Sequence, residues 1–303
     1  MKSSFDTDNE TKGLGVNLIF TKLNLYSKQA KLFISYNPVA FSGVIVVVFL
    51  IVIASLANAI APYSESEQIA TRLLPPSKDF IMGTDNFGRD VYSRVILGTR
   101  ISLTVGFICV PIGLLVGGIL GLIAGYLGGR IDNFIMRIVD IMFGFPGLIL
   151  AILIAAVLGA TLLNAMIAIG IIIIPIFART ARGPVLSVIR KEYVTSAKAI
   201  GATDIHIIRR YIIPNIITPL IIQSTIAFSA AMLDEAALSF LGLGAQPPTP
   251  SWGRMLNDAR QYLEIAPWMA IFPGLAIMIA VLSLNLVGDG LRDYYDPKTR
   301  FVQ

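Results

Sequence analysis

The chain has 303 residues, 55% of them hydrophobic and only 14% charged, with a formal net charge of +5 and a mean hydropathy of +0.75. A water-soluble globular domain seldom reaches that balance, so lipid is the solvent for much of the chain. The basic residues gather between apolar runs and match no nucleic-acid-binding motif, and the single cysteine, Cys109, excludes a disulfide framework.

Six apolar runs approach the ~20 residues a helix needs to cross the hydrocarbon layer. They cover residues 39–61, 101–127, 138–158, 162–178, 213–241 and 267–288, the fifth with a break expected near Pro214 and Pro219. The fold class is therefore an all-α integral membrane protein with six transmembrane helices in one bundle, without a second folded domain. The first run ends in the small residues Ala57, Asn58, Ala59, Ile60 and Ala61. Its length and the long polar lead before it do not fit a cleaved signal, so it reads as a retained anchor. With residues 1–38 cytoplasmic, 17 of the 24 Lys and Arg fall in the inside segments 1–38, 128–137, 179–212 and 289–303. The positive-inside rule then places both termini in the cytoplasm and the evenly charged segment 62–100 outside.

Within the second run Gly113, Gly117, Gly121 and Gly125, with Gly129 beyond, recur every four residues. That spacing lays a bare stripe along one helix face, where a neighbouring helix can come close. No GxxxxGK[ST] occurs, so the row is not a phosphate loop.

The segment from Arg179 to Pro214 reads as helix, turn, helix. Val194, Ala197 and Ile200 repeat at helical spacing, Gly201 suits a left-handed helix end, and Thr203 or Asp204 suits the cap of the next helix. Edged with Arg and Lys, such a hairpin is a firm protrusion for a soluble partner or a surface lying on the membrane. In the stretch from Met82 to Arg94, Gly83 and Gly88 permit turns, while Asp85, Arg89, Asp90 and Arg94 alternate in charge at short intervals. Two readings stand there: a contact or mouth-shaping surface, and an internal salt-bridged scaffold. Asp234 and Glu235 lie inside the fifth run, where an ionised group needs water or a partner, as residues lining a path or as polar contacts between helices. Asp140 pairs most simply with Arg137 one turn away. An intramembrane enzyme is the rival class. His206 is the only histidine, no HExxH or Gly-x-Ser-x-Gly is present, and no lysine falls within an apolar run, so neither a catalytic nor a metal site is expected.

These residues carry a family resemblance. Thr195-Ser196-Ala197, Gly201, and Tyr211-Ile212-Ile213-Pro214 resemble the EAA loop of ABC importer permeases, with the pattern's Glu and first Ala replaced. The family's Glu role therefore cannot be placed on Thr195. The stretch from Met82 to Arg94 is similar to the GTDxxGRDxxSR signature of the C-type subunit of the dipeptide, oligopeptide, nickel and glutathione group. Phe145-Pro146-Gly147, the stretch from Ala237 to Gly253, and the stretch from Asn285 to Asp293 followed by Asp296-Pro297 are similar to that group as well.

The resemblance implies a type I permease bundle in a bacterial inner membrane, with a permease core over 101–288 that contains a cytoplasmic coupling loop at 179–212. It also implies that Glu192, Ala197, Gly201, Asp204 and Pro214 serve ATPase coupling. The implied partners are a homologous permease, two ABC ATPases that use ATP on this chain's behalf, and a periplasmic substrate-binding protein. The chain itself would hold no cofactor, and its solute would be a di- or oligopeptide or glutathione, with nickel or another small solute as the alternative.

Overall fold

A computed structural model of the chain describes residues 37–295. Most of the expected N-terminal segment, and the tail including Asp296 and Pro297, lie outside the described residues. Nine helices account for most of the rest: α1 Pro38–Ile60, α2 Val91–Leu127, α3 Gly129–Phe143, α4 Gly147–Leu158, α5 Leu162–Val188, α6 Glu192–Ala199, α7 Asp204–Phe240, α8 Trp252–Ala259 and α9 Trp268–Tyr295. Five of them, α1, α2, α5, α7 and α9, are long and apolar enough to cross a membrane, and the bent pair α3 and α4 makes a sixth crossing if taken as one span. This agrees with the six-helix reading in number and departs from it in detail.

The third run is not a continuous helix. It breaks at Gly144-Phe145-Pro146, and α3 and α4 meet at 91°. Proline lacks the N–H that would continue α3 and disfavours a helical residue before it. Charged α3 carries Arg130, Asp132, Arg137 and Asp140 beside exposed Ile131, Phe134 and Ile141, a composition suited to the headgroup layer. Wholly apolar α4 packs on α5.

The break expected in the fifth run is absent. Ile213–Phe240 is unbroken despite Pro219, and the irregularity lies below it, in a wide π turn over Ile208–Ile212 just ahead of Pro214. The turn absorbs the missing Pro214 N–H, and the Asn215 side chain donates to the Tyr211 carbonyl at 2.6 Å. Helix α2 begins ten residues before its apolar run because Asp90 caps it, accepting from Ser93 N–H at 2.8 Å.

The glycine row becomes the seam between α2 and α5. A Cβ on Gly121 would overlap the Ala178 carbonyl oxygen, and one on Gly125 would sit 2.8 Å from Val185 Cβ. The stripe brings backbone against backbone, as close helix association in lipid requires. It ends at Gly125, because Gly129 opens α3 at a positive φ with open space around it.

Two apolar cores result. One joins α2, α4, α5 and α7 and runs down into the α6 hairpin through Val188, Val194, Ile207 and Ile212. The other joins α1, the start of α2, α8 and α9 around Leu50, Val91, Trp252 and Met269. The bundle so has a hairpin end, with α6, and a loop end, with residues 62–90 and α8.

Candidate coupling surface and translocation residues

At the hairpin end, helix α5 runs on past its apolar run to Val188, so Arg179 and Arg182 stand on a membrane helix rather than in a loop. Both are bonded to α3. Arg182 Nε and Nη2 donate to Asp132 Oδ1 and Oδ2 at 2.6 and 2.7 Å. Arg179 donates to Asp140 at 2.6 Å and lies 3.9 Å over the Phe143 ring. Asp140 therefore finds its partner on α5, not at Arg137 one turn away. A bidentate guanidinium–carboxylate pair fixes direction as well as distance, which holds α3 against α5.

Helix α6 ends in a Schellman motif. The Ala202 N–H donates to the Ala197 carbonyl and the Gly201 N–H to the Lys198 carbonyl, each at 3.0 Å, with Gly201 at φ +87°. Thr203 then caps α7, accepting from His206 N–H. Both closures follow the sequence grammar, but the faces differ from the expected periodicity. Val194 and Ala197 are buried, whereas Ile200, at the cap, is 86% exposed. Ile205, 67% exposed, and Tyr193 also face outward. Of the five coupling candidates, Ala197 points into the core, Glu192, Gly201 and Pro214 are exposed, and Asp204 accepts a hydrogen bond from Tyr126 Oη at 2.6 Å.

Sequence reasoning passed over Tyr126, Tyr193 and Ile205. The two outer apolar side chains had a signal, because each stands among charged or polar neighbours where burial gives no reason for it. Tyr126 had none, since its partner lies 78 positions away.

Asp234 and Glu235 sit side by side on α7 in different surroundings. Glu235, 1% exposed, accepts from Ser239 Oγ at 2.6 Å, and Ser239 Oγ in turn accepts from Ala245 N–H at 2.9 Å. That chain ties α7 to the turn following it, which favours a polar contact over a path-lining role for Glu235. Asp234 is half-buried. No group of three or more metal-ligating side chains occurs among the described residues.

At the loop end the charged residues turn inward. Asp85, Arg89, Asp90 and Arg94 are all buried. Gly83 and Gly88 take φ +74° and +79°, and a Cβ on Gly88 would overlap the Ala70 carbonyl oxygen. Asp85 Oδ1 accepts from the N–H groups of Phe87 and Arg89 at 2.8 and 2.9 Å, and Asp85 Oδ2 accepts from Arg89 Nε at 2.6 Å. Arg94 reaches the carbonyls of Glu65 at 2.6 Å and Pro248 at 3.3 Å. Asp258 on α8 joins the set through Arg254 at 3.1 Å and Arg89 at 3.7 Å. Burial raises its carboxyl above the usual carboxylate range, against the opposing pull of Arg254, Arg94 and Arg89. Trp268 Nε1 donates to the Thr84 carbonyl at 3.1 Å, and the loop is so pinned to α9. The arrangement is that of an internal scaffold.

Comparison with known proteins gives this geometry a family. Residues 117–301 match the binding-protein-dependent transport system inner membrane component. The chain is 48% identical to a dipeptide transport system permease protein of Alkalihalophilus pseudofirmus, over 87% of each chain. It is 45% identical to a di/tripeptide transport system permease protein of Pseudomonas aeruginosa, over 88% of this chain and 90% of that one. It is 44% identical to a glutathione transport system permease protein of Pectobacterium atrosepticum, over 86% and 88%. Among solved structures, an inward-facing MetNI methionine ABC transporter chain superposes with a TM-score of 0.56 at 19% identity, over 67% of this chain and 97% of that one, a likeness of fold. A bundle of five to six spans with a rigid apolar-faced hairpin at one end is thus a multi-pass inner-membrane permease subunit of a bacterial ABC importer, and the chain belongs to the binding-protein-dependent transport system inner membrane component family.

Proposed function

We propose that this chain carries small peptides, dipeptides before glutathione, across the inner membrane as one of two permeases. A homologous permease, two cytoplasmic ATPases and a periplasmic binding protein complete the assembly. The observation that carries the peptide reading is the identity of 44–48% to dipeptide, di/tripeptide and glutathione permeases over 86–88% of this chain. Both termini are cytoplasmic in this reading, supported by the bias of Lys and Arg toward the segments on that side. The hairpin end then faces the ATPases and the loop end the binding protein.

The chain supplies geometry and no catalytic group of its own. Ile200, Ile205 and Tyr193 form an apolar tip that fills a cleft in the ATPase, as buried apolar anchors do in protein interfaces. Gly201 and the Thr203 cap keep that tip stiff. Because Val194, Ile207 and Ile212 belong to the same core as α2 and α5, a push on the tip moves the bundle as a body. Energy comes from ATP hydrolysed in the partner subunits.

The test is uptake of labelled dipeptide, glutathione and Ni²⁺ by a strain lacking this chain, with and without its restoration. Dipeptide uptake that returns with the chain supports the reading. Restored Ni²⁺ uptake with no restored peptide uptake overturns it.

A further inference from the structure

A cavity of about 470 Å³ opens at the loop end, between residues 66–89, the Pro247-Pro248 turn and α8. Its polar lining includes Gln68, Asn86, Arg89, Arg254, Asp258 and Gln261. Five buried side-chain polar atoms lack a hydrogen-bond partner among the described residues, and three of them belong to this one lining: Asn86 Oδ1, Arg89 Nη2 and Arg254 Nε. Native proteins pair nearly all such atoms, so three orphans around one cavity call for a ligand or another account.

The chemistry of the orphans narrows the choice. Arg89 is only 6% exposed, and its Nη2 stands 3.7 Å from Asp258 Oδ2, beyond hydrogen-bond reach. Arg89 Nε is already given to Asp85, and Arg254 Nη2 forms an ion pair with Asp258 Oδ1 at 3.1 Å. The lining thus presents two guanidiniums against one carboxylate. Asp85, the nearby acid, is engaged by Arg89 and stands 3.6 Å from Arg94. Spare guanidinium N–H groups in a sheltered site suit an oxyanion, a carboxylate or a phosphate, and of the two a small peptide carries the carboxylate. The volume falls within the roughly 300–1,000 Å³ of small-molecule sites, more than a single inserted side chain needs.

We propose that this cavity is a subsite for the terminal carboxylate of a small peptide, bound by Arg89 and Arg254, with Asn86 Oδ1 accepting from a peptide N–H. The inference rests on the peptide-permease reading and places one contact of the solute at the outer mouth, before it enters the bundle. A carboxylate presented by the binding protein is the competing source.

The experiment uses the whole assembly, both permeases and both ATPases, in nanodiscs without the binding protein. Radiolabelled glycyl-phenylalanine and its C-terminal amide are the probes. Saturable binding of the acid, at least tenfold weaker for the amide, is expected. Arg254→Met, and separately Gln261→Glu, which sets a competing carboxylate at an exposed edge of the cavity, each lower it at least tenfold, and Gln261→Glu does so with no change in the assembly's thermal unfolding. No saturable binding, equal binding of acid and amide, or binding that appears only when the binding protein is added overturns the subsite. ATP-driven uptake of the same dipeptide in proteoliposomes with the binding protein separates the two readings. Uptake without carboxylate-dependent binding removes the subsite alone, whereas binding without uptake keeps the subsite and removes the permease reading for this solute.

Discussion

The two ends of the bundle use opposite chemistry on their surfaces. At the loop end Asp85, Arg89, Asp90 and Arg94 are buried and bonded to one another or to backbone, with α8 and α9 strapped across them. At the hairpin end the charged side chains are outside, apart from the buried Asp132 that holds Arg182, and the large apolar ones, Ile200 and Ile205, stand out with them. An inward charge organises a fold, because removing its partner leaves a buried ion. An outward apolar side chain on a stiff turn contributes little to folding and much to a contact. The first end is read as a frame and the second as a handle.

Substitutions break or sharpen that contrast. The largest effect is expected at the frame. Arg94→Met releases the carbonyls of Glu65 and Pro248 and takes one positive charge from beside Asp85, and breaking a buried ionic set costs about 3–5 kcal/mol. The yield of monodisperse, folded chain falls sharply, and thermal unfolding in detergent reads the loss directly. A tolerated Arg94→Met would place this network among surface ion pairs.

Ile200→Asp comes next, with the opposite signature. Folding is unchanged, because the side chain is almost free of the core, while affinity for the ATPases drops at least tenfold, about 1.4 kcal/mol. Titration of the solubilised chain with purified ATPases measures it. Gly201→Ala follows. At φ +87° a Cβ is strained even though nothing crowds it, and the expected cost is about 1 kcal/mol in hairpin stability. Faster hydrogen exchange of the amides of Gly201 and Ala202 is its readout. Smallest is Tyr126→Phe, which removes a partly exposed hydrogen bond to Asp204 worth less than about 1 kcal/mol. Unfolding temperature holds, while peptide transported per ATP hydrolysed declines, because the end of α2 is no longer tied to the hairpin.

Much of the fold was legible in sequence because its signals are local. Apolar length gives the spans, a glycine every fourth residue gives the α2–α5 seam, and Gly201 with Thr203 gives the turn of the hairpin. What escaped depends on contacts distant in sequence. The run 138–158 has the length of one span, yet Gly144-Phe145-Pro146 turns it by a right angle, and its motif carried that information without stating the angle. Asp140 had a partner at helical spacing and took Arg179 instead, 39 residues on, because α3 lies along α5. Ile200 continued an inward periodicity, but the helix closes at Ala199, so the residue one step beyond turns outward. Pro214 and Pro219 read as breakers, whereas a π turn and the Asn215 amide absorb the first and α7 accommodates the second. Periodicity predicts faces within a helix and loses them at its last residue.

The contrast between frame and handle is tested most directly by making two measurements on the same two variants, thermal unfolding and ATPase affinity, for Arg94→Met and Ile200→Asp. The expected pattern is crossed: Arg94→Met unfolds early, and its folded fraction binds ATPase with native affinity, while Ile200→Asp unfolds like the parent and binds at least tenfold more weakly. An Ile200→Asp chain that binds the ATPases as tightly as the parent would contradict the account.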